Sequence, residues 1–321
     1  MVFLLVLVFA AALVFALYRW LASGQNGYVL FDRDGGNASA MPTSFAPNFN
    51  VITSEGATGG IAASGASAIQ YVRVDETGTE VVGPAGVALE VPVGLAVASA
   101  DGYSMVVWAF NTRLSARVVD DAGILTPAFD AALGAYSTFV SLSAAGRGSE
   151  VGIAWTADPI AGVTTSWFQL TDADGPVGST IALLDTGEAH TITRIAATDD
   201  GYAVLITGPP PTFRASLMTL DATGNPTSEA VELAGASFAH DLASLGDSIA
   251  VIAVRDSGEP EMRAYGLDLT PAASWVCLGP DVDPTYPSSI SPDGAGYTTL
   301  HTTGSLAVML HRLDALGTGA Q

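Results

Sequence analysis

The sequence has no lysine, one cysteine and few charges of either sign. Its 321 residues carry 11 basic side chains, every one an arginine, against 32 acidic ones, for a formal net charge of −21. Charged residues make up 13% of the chain, about half the usual globular share. Such a balance repels phosphate backbones and anionic headgroups, which excludes nucleic acid as a partner. A single cysteine, Cys277, excludes an intrachain disulfide. It stands in "TPAASWVCLGP", which reads as a strand, and a lone cysteine there is expected to be a small buried hydrophobe. Zincin, nucleophile-elbow, P-loop and dinucleotide-binding motifs are missing, as is helical periodicity beyond residue 26.

One long hydrophobic run is present. Val2 to Leu17 is unbroken and as a helix spans about 24 Å. That is long for a signal-peptide core and slightly short for a bilayer. Tyr18, Trp20 and Leu21 extend it with interfacial aromatics. No arginine precedes the run, Arg19 follows it, and "LASGQ" lacks the cysteine that ends a lipoprotein signal. Residues 1–26 therefore read as a hydrophobic helix, a signal anchor or transmembrane segment, with a degraded repeat as the alternative. Any membrane contact is expected through residues 2–21 only.

The rest is rich in turn formers, with 35 Gly and 17 Pro. Asp followed three residues later by Gly recurs at Asp32, Asp75, Asp120, Asp172, Asp221 and Asp314, and Asp268 has Pro271 in place of the glycine. Successive aspartates are 43, 45, 52, 49, 47 and 46 residues apart. Asp bonds the backbone ahead of it and Gly takes the positive φ that closes the turn. Short apolar strands flank each copy, as in "LSARVVD" and "ASLMTLD". A second glycine marker at Gly102, Gly148, Gly201, Gly246 and Gly294 separates two further strands, as in "VASADGYSMVVWA" and "AATDDGYAVLITG". Each unit thus reads strand, Gly turn, strand, loop, strand, Asp/Gly hairpin, strand. Four strands in about 47 residues is the period of a propeller blade. One such sheet cannot cover both its own faces, so copies must stack.

These signals predict an all-β fold, a β-propeller over residues 27–321. Six blades are expected, with residues about 38–45 closing the three-stranded C-terminal blade. Seven is the alternative, requiring residues 1–26 to supply two strands. The pattern is similar to the extracellular β-propellers of bacterial surface proteins and lipoproteins. "SSISPDGAGYTTL" (288–300) resembles the S-P-D-G blade motif of TolB-like propellers. That resemblance implies recognition of a protein or ligand on one propeller face, and no chemistry.

In a propeller, the inter-blade connections and middle-hairpin loops share the face around the central channel. The connections are read to carry Asn48 and Asn50, Tyr136, Glu188 and His190, His240 and Asp241, Asp283 and Tyr286. Polar and aromatic groups converging at a concave mouth make a ligand site, so Asn50, Tyr136, His190, His240, Asp241, Asp283 and Tyr286 are the candidate ligand-binding residues. No catalytic residue, metal site or cofactor is assigned. "DRDGG" and "DADG" echo calcium loops at Asp32/Asp34 and Asp172/Asp174, but the distal Glu is missing and a hairpin turn uses the same letters. The expected function is a non-catalytic binding or scaffold module, exported and held at the cell surface or in the periplasm. A glycan-active hydrolase or lyase and a structural spacer are the alternatives.

Overall fold

A strand that is apolar at every position needs cover on both of its faces. Val106 to Ala109 and Tyr202 to Ile206 are such runs, and all of their residues are buried. In the computed structural model the described residues are 27–31, 38–42, 49–55, 58–64, 68–75, 80–132, 136–159, 164–184, 189–209, 214–255, 259–278, 289–293, 296–302 and 308–314. Every regular element among them is a strand, and all strand pairing is antiparallel.

A hairpin, β1 (Gly27–Phe31) and β2 (Ala38–Pro42), comes first. Five four-stranded sheets follow, each a meander in chain order. Sheet one holds β3 (Phe49–Glu55), β4 (Thr58–Ser64), β5 (Ile69–Asp75) and β6 (Glu80–Ala88). Sheet two holds β7 (Gly94–Ala100), β8 (Tyr103–Phe110), β9 (Arg113–Asp120) and β10 (Phe129–Asp130). Sheet three holds β11 (Tyr136–Arg147), β12 (Glu150–Pro159), β13 (Thr165–Asp172) and β14 (Gly175–Ala182). Sheet four holds β15 (Ile192–Ala197), β16 (Gly201–Thr207), β17 (Ala215–Asp221) and β18 (Val231–Glu232). Sheet five holds β19 (Ala236–Leu245), β20 (Ser248–Arg255), β21 (Pro260–Gly266) and β22 (Val276–Cys277). The last sheet has three strands, β23 (Ser289–Asp293), β24 (Gly296–Thr302) and β25 (Val308–Asp314).

The core is divided between sheets rather than gathered in one centre. Along β8, Met105, Val107 and Ala109 pack toward sheet three, while Val106 and Trp108 pack toward sheet one. Along β16, Tyr202, Val204 and Ile206 face sheet three, and Ala203 and Leu205 face sheet five. The strand period of two thus feeds two cores at once. Each buried Val, Leu or Ile contributes about 1.5–3 kcal/mol, and most of that exists only when both neighbours are present. Fourth strands have less cover: Val231 and Glu232 of β18 are both exposed, although Val87 of β6 is buried. This all-β stack of meander sheets is of propeller type.

The Asp/Gly hairpins form as their chemistry requires. Asp120 Oδ1 accepts the amides of Ala122 (3.0 Å) and Ile124 (2.7 Å), and Gly123 turns at φ 80°. Asp221 Oδ1 accepts the amides of Thr223 and Asn225, both at 2.9 Å, with Gly224 at φ 87°. The Thr223 hydroxyl and these amides hold the Asp221 carboxyl below its ordinary value. At Asp172 the turn is tighter. Asp172 pairs directly with Gly175, and its Oδ1 accepts the amides of Asp174 (2.9 Å) and Gly175 (3.0 Å). The calcium-like spelling at Asp172/Asp174 is therefore a hairpin, and Asp32/Asp34 lie outside the described residues. In sheet five the turn slides two residues upstream. The Gly266 amide donates to Thr270 O and the Leu269 amide to Gly266 O, both at 2.9 Å, so Leu269 takes the glycine's place at φ 62°.

Two expectations are corrected. Cys277 is exposed on β22, and its Sγ lies 3.5 Å from Glu259 Oε2. Outermost strands have one covered face, and Cys277 takes the other while the next residue, Leu278, is buried. Second, "DGYSMVV" and "DGYAVLI" are not in the same register. Tyr103 pairs with Asp120, whereas Gly201 pairs with Asp221 and Tyr202 with Leu220. A one-residue offset turns the side chain to the other face. Tyr103 consequently donates forward to Ser149 O in sheet three (2.8 Å). Tyr202 packs backward on Phe168, with ring centroids 5.4 Å apart. Tyr297, which shares Tyr202's register, donates backward to Ser248 O (3.0 Å).

Candidate functional site

First strands pack side by side: β3 on β7, β7 on β11, β11 on β15, β15 on β19 and β19 on β23. Each is the edge of its sheet, so each carries backbone groups that its own ladder leaves unused. Side chains one repeat away cap them. Ser141 Oγ accepts the Thr193 amide (2.9 Å) and Ser143 Oγ the Ile195 amide (3.3 Å). Asp241 Oδ2 accepts the Ile290 amide (3.2 Å). The alternating hydroxyls of "SLSAA" are thus selected by the neighbouring sheet's edge.

Two bulges interrupt β11, at Tyr136/Thr138 and Phe139/Ser141, and two interrupt β19, at Ala236/Phe238 and Ala239/Asp241. His240 is the extra residue of the last one. Bulges re-aim side chains and break the apolar alternation, which is why the sequence around His240 reads as a connection. The structure corrects that reading: Asn50 lies in β3 opposite Ala63, Tyr136 opens β11 opposite Pro159, and His240 and Asp241 belong to β19. Among the described candidates only His190 lies in a connection, just ahead of β15. Asp283 and Tyr286, like Asn48 and Glu188, lie outside the described residues.

His190 joins a buried hydroxyl chain between sheets three and four. Ser141 Oγ donates to Thr156 Oγ1 (3.1 Å), which meets Thr193 Oγ1 (2.6 Å), which meets Ser166 Oγ (2.7 Å), which meets His190 Nδ1 (3.0 Å). The Ser166 amide also donates to Nδ1 (3.1 Å), which assigns the ring proton to Nε2. A serine beside a histidine is the geometry of an activated nucleophile. Ser166 is 0% exposed, however, so its hydroxyl faces the sheet junction rather than solvent. The chain laces two sheets together.

On the opposite side of β15 stands a different cluster. Arg194 stands on β15, which packs against β19 and its His240 and Asp241, and β19 packs in turn against β23; the Arg194 charge acts on both side chains. Burial pushes the Asp241 carboxyl up to about 6, against the pull of the Arg194 charge and of the Ile290 and Leu242 amides. Burial and then the Arg194 charge push His240 down to about 4. At neutral pH the cluster therefore holds a guanidinium, a neutral imidazole and a carboxylate that is costly to keep ionised. Perturbed groups of this kind gather where ligands bind. Sequence reasoning missed Arg194 because the arginines are dispersed along the chain. The available signal was "TRIAA", a charge within an otherwise small, apolar strand.

Away from strand ends, Asp241 is the single carboxyl on the described first strands. The two-carboxylate arrangement of most glycosidases is not assembled there. Among the described residues no group of three or more His, Cys, Asp or Glu side chains is placed to hold a metal ion.

No protein-family model matches the chain, and no curated protein matches it in sequence. Solved structures do match its fold. Kuenenia stuttgartiensis hydrazine synthase aligns with a TM-score of 0.57 at 15% identity, over 83% of this chain and 76% of that one. A neuraminidase-like protein of a flat-faced bat isolate from Peru aligns at 0.53 and 11% identity, over 81% and 85%. TolB from Acinetobacter baumannii aligns at 0.48 and 15% identity, over 94% and 65%. At these identities the first two establish a propeller-type fold and nothing about activity.

Proposed function

We propose that the chain is a non-catalytic binding propeller that presents its first-strand face to a protein, glycan or cell-wall ligand. The observation that supports this most is the Arg194–His240–Asp241 cluster. An ionised carboxyl held at a cost to stability is retained where it serves recognition. A lone mid-strand carboxyl favours binding over glycan hydrolysis. The reading includes export and anchoring through the apolar run in residues 1–26, with the protein at the cell surface or in the periplasm of a bacterium. Six blades follow if the open edge of β2 joins β25 as the fourth strand of the last sheet. Seven follow if residues 1–26 add two strands to the β1–β2 hairpin.

The test uses the full chain in mild detergent against immobilised cell-wall glycans and envelope proteins. Saturable binding that Arg194→Gln abolishes supports the reading. Binding that Arg194→Gln and Asp241→Asn both leave unchanged moves the site elsewhere, and product release from the glycans refutes the non-catalytic role. Membrane fractionation of expressing cells checks the anchor, which is refuted by a fully soluble chain with an intact N-terminus.

A further inference from the structure

Six arginines among the described residues are held by partners, and Arg214 is exposed. Arg73 pairs with Asp121 and Arg113 with Glu90. Arg117 donates to the carbonyls of Thr126, Gly86 and Val87. Arg147 donates twice to Asp199 O. Arg255 reaches Glu261 and lies over Trp275, and Arg263 donates to Ala273 O. Arg194 differs. It is half-buried in the middle of a first strand, and its one hydrogen bond to a described residue runs to the carbonyl of Thr193 beside it (3.2 Å). No described carboxylate lies within ion-pair distance of it. Its guanidinium has five N–H donors in a planar fork, so most are available for a ligand. Guanidinium forks match carboxylates in geometry and charge.

We propose that Arg194 is the anchor of a carboxylate-binding site on the first-strand wall, with Asp241 as the internal competitor for its charge. This rests on the binding role proposed above and names the ligand class: a small acid, such as an acidic sugar, whose carboxylate lies on the guanidinium fork. The two carboxyls compete for one cation. When Asp241 is ionised the local charge of the cluster is near zero, and when it is neutral the cluster is cationic. Ligand affinity therefore rises as the solution is acidified through the Asp241 titration, and binding takes up a proton.

Among the described residues the charged groups around Asp241 are few. β15 contributes Arg194, and β19 itself contributes His240, which is neutral over the relevant range. β16 contributes none. β17, β20 and β23 carry Asp221, Arg255 and Asp293 only at their ends. β23 faces Asp241 with the Ile290 amide.

The test is titration of the full chain with D-galacturonate, D-galactose and inorganic phosphate at pH 5 and pH 7.5. Galacturonate is expected to bind about tenfold tighter at pH 5, the scale of one partly buried charge. Galactose should bind at neither pH. Asp241→Asn should give the acid-range affinity at pH 7.5 and remove the pH dependence, a gain that misfolding cannot mimic. Arg194→Gln should abolish binding and Arg194→Lys should retain part of it. Equal binding of galactose and galacturonate overturns the carboxylate assignment while leaving the binding role intact. Tighter phosphate than galacturonate binding reassigns the site to oxyanions and also overturns it. Absence of galacturonate binding at both pH values refutes the site outright.

Discussion

Replacing Asp241 by Asn should stabilise the protein above pH 6 and leave it unchanged near pH 4. The Asp241 carboxyl titrates at about 6 in the folded chain rather than at 3.8. That displacement corresponds to at most about 3 kcal/mol at 1.36 kcal/mol per pH unit. A raised value means that the folded state holds its proton more tightly than the unfolded state. The associated stability is fully present below 3.8 and is lost as the pH rises through 6. Asn keeps an oxygen for the Ile290 amide and carries no charge, so it escapes that loss. His240 has the opposite sign. Its value falls from 6.5 to about 4, so its contribution, also about 3 kcal/mol, is present above 6.5 and is lost as the pH falls through 4. Between pH 4 and 6 the two slopes cancel, and the wild-type junction is nearly silent to protons. Urea unfolding at half-unit steps from pH 4 to 7.5 measures this. Asp241→Asn should expose the His240 slope, with stability falling toward acid, and His240→Gln should expose the reverse. Asp241→Asn no more stable than wild type at pH 7.5, or single-variant slopes of the same sign, would refute the assignment.

Three further outcomes follow from the packing. A methyl group at Gly152 would sit 2.6 Å from Tyr202 Cε1 and 2.9 Å from Phe168 Cε2, so Gly152→Ala should cost about 1–3 kcal/mol by overpacking, measured by thermal unfolding. Leu269 is buried at 3% exposure yet turns at φ 62°. Leu269→Ala and Leu269→Gly should both destabilise, but glycine by about 1 kcal/mol less, because it accepts that conformation without strain. Ala the more stable of the two would refute the shifted turn. Cys277, exposed on an outermost strand, should react fully with a thiol reagent in the native protein, and protection until unfolding would show that its strand is covered.

The legible part of the sequence was local. Aspartate and glycine three apart specify a hairpin through bonds that span at most four residues, as at Asp120 and Asp221. Apolar runs of five to eight residues specify strands covered on both faces. Repetition of both about every 47 residues specifies stacked four-stranded sheets, because no copy can cover itself. The fold class therefore follows from short-range chemistry written several times over.

Contacts between copies were decided by the tertiary structure. Asp241 meets the Ile290 amide 49 residues away and Ser141 meets the Thr193 amide 52 away, a full repeat in each case. Which face a residue takes depends on strand parity, and one offset position sends Tyr103 forward while Tyr202 points back. A bulged residue escapes the alternation altogether, so His240 and Asp241 read as a loop and stand in a strand. Arg194 looked like one arginine among eleven, and only the approach of β19 to β15 brings its charge to bear on them. A strand's identity is set by its own side chains, whereas the charge beside it is set by whichever sheet stacks next.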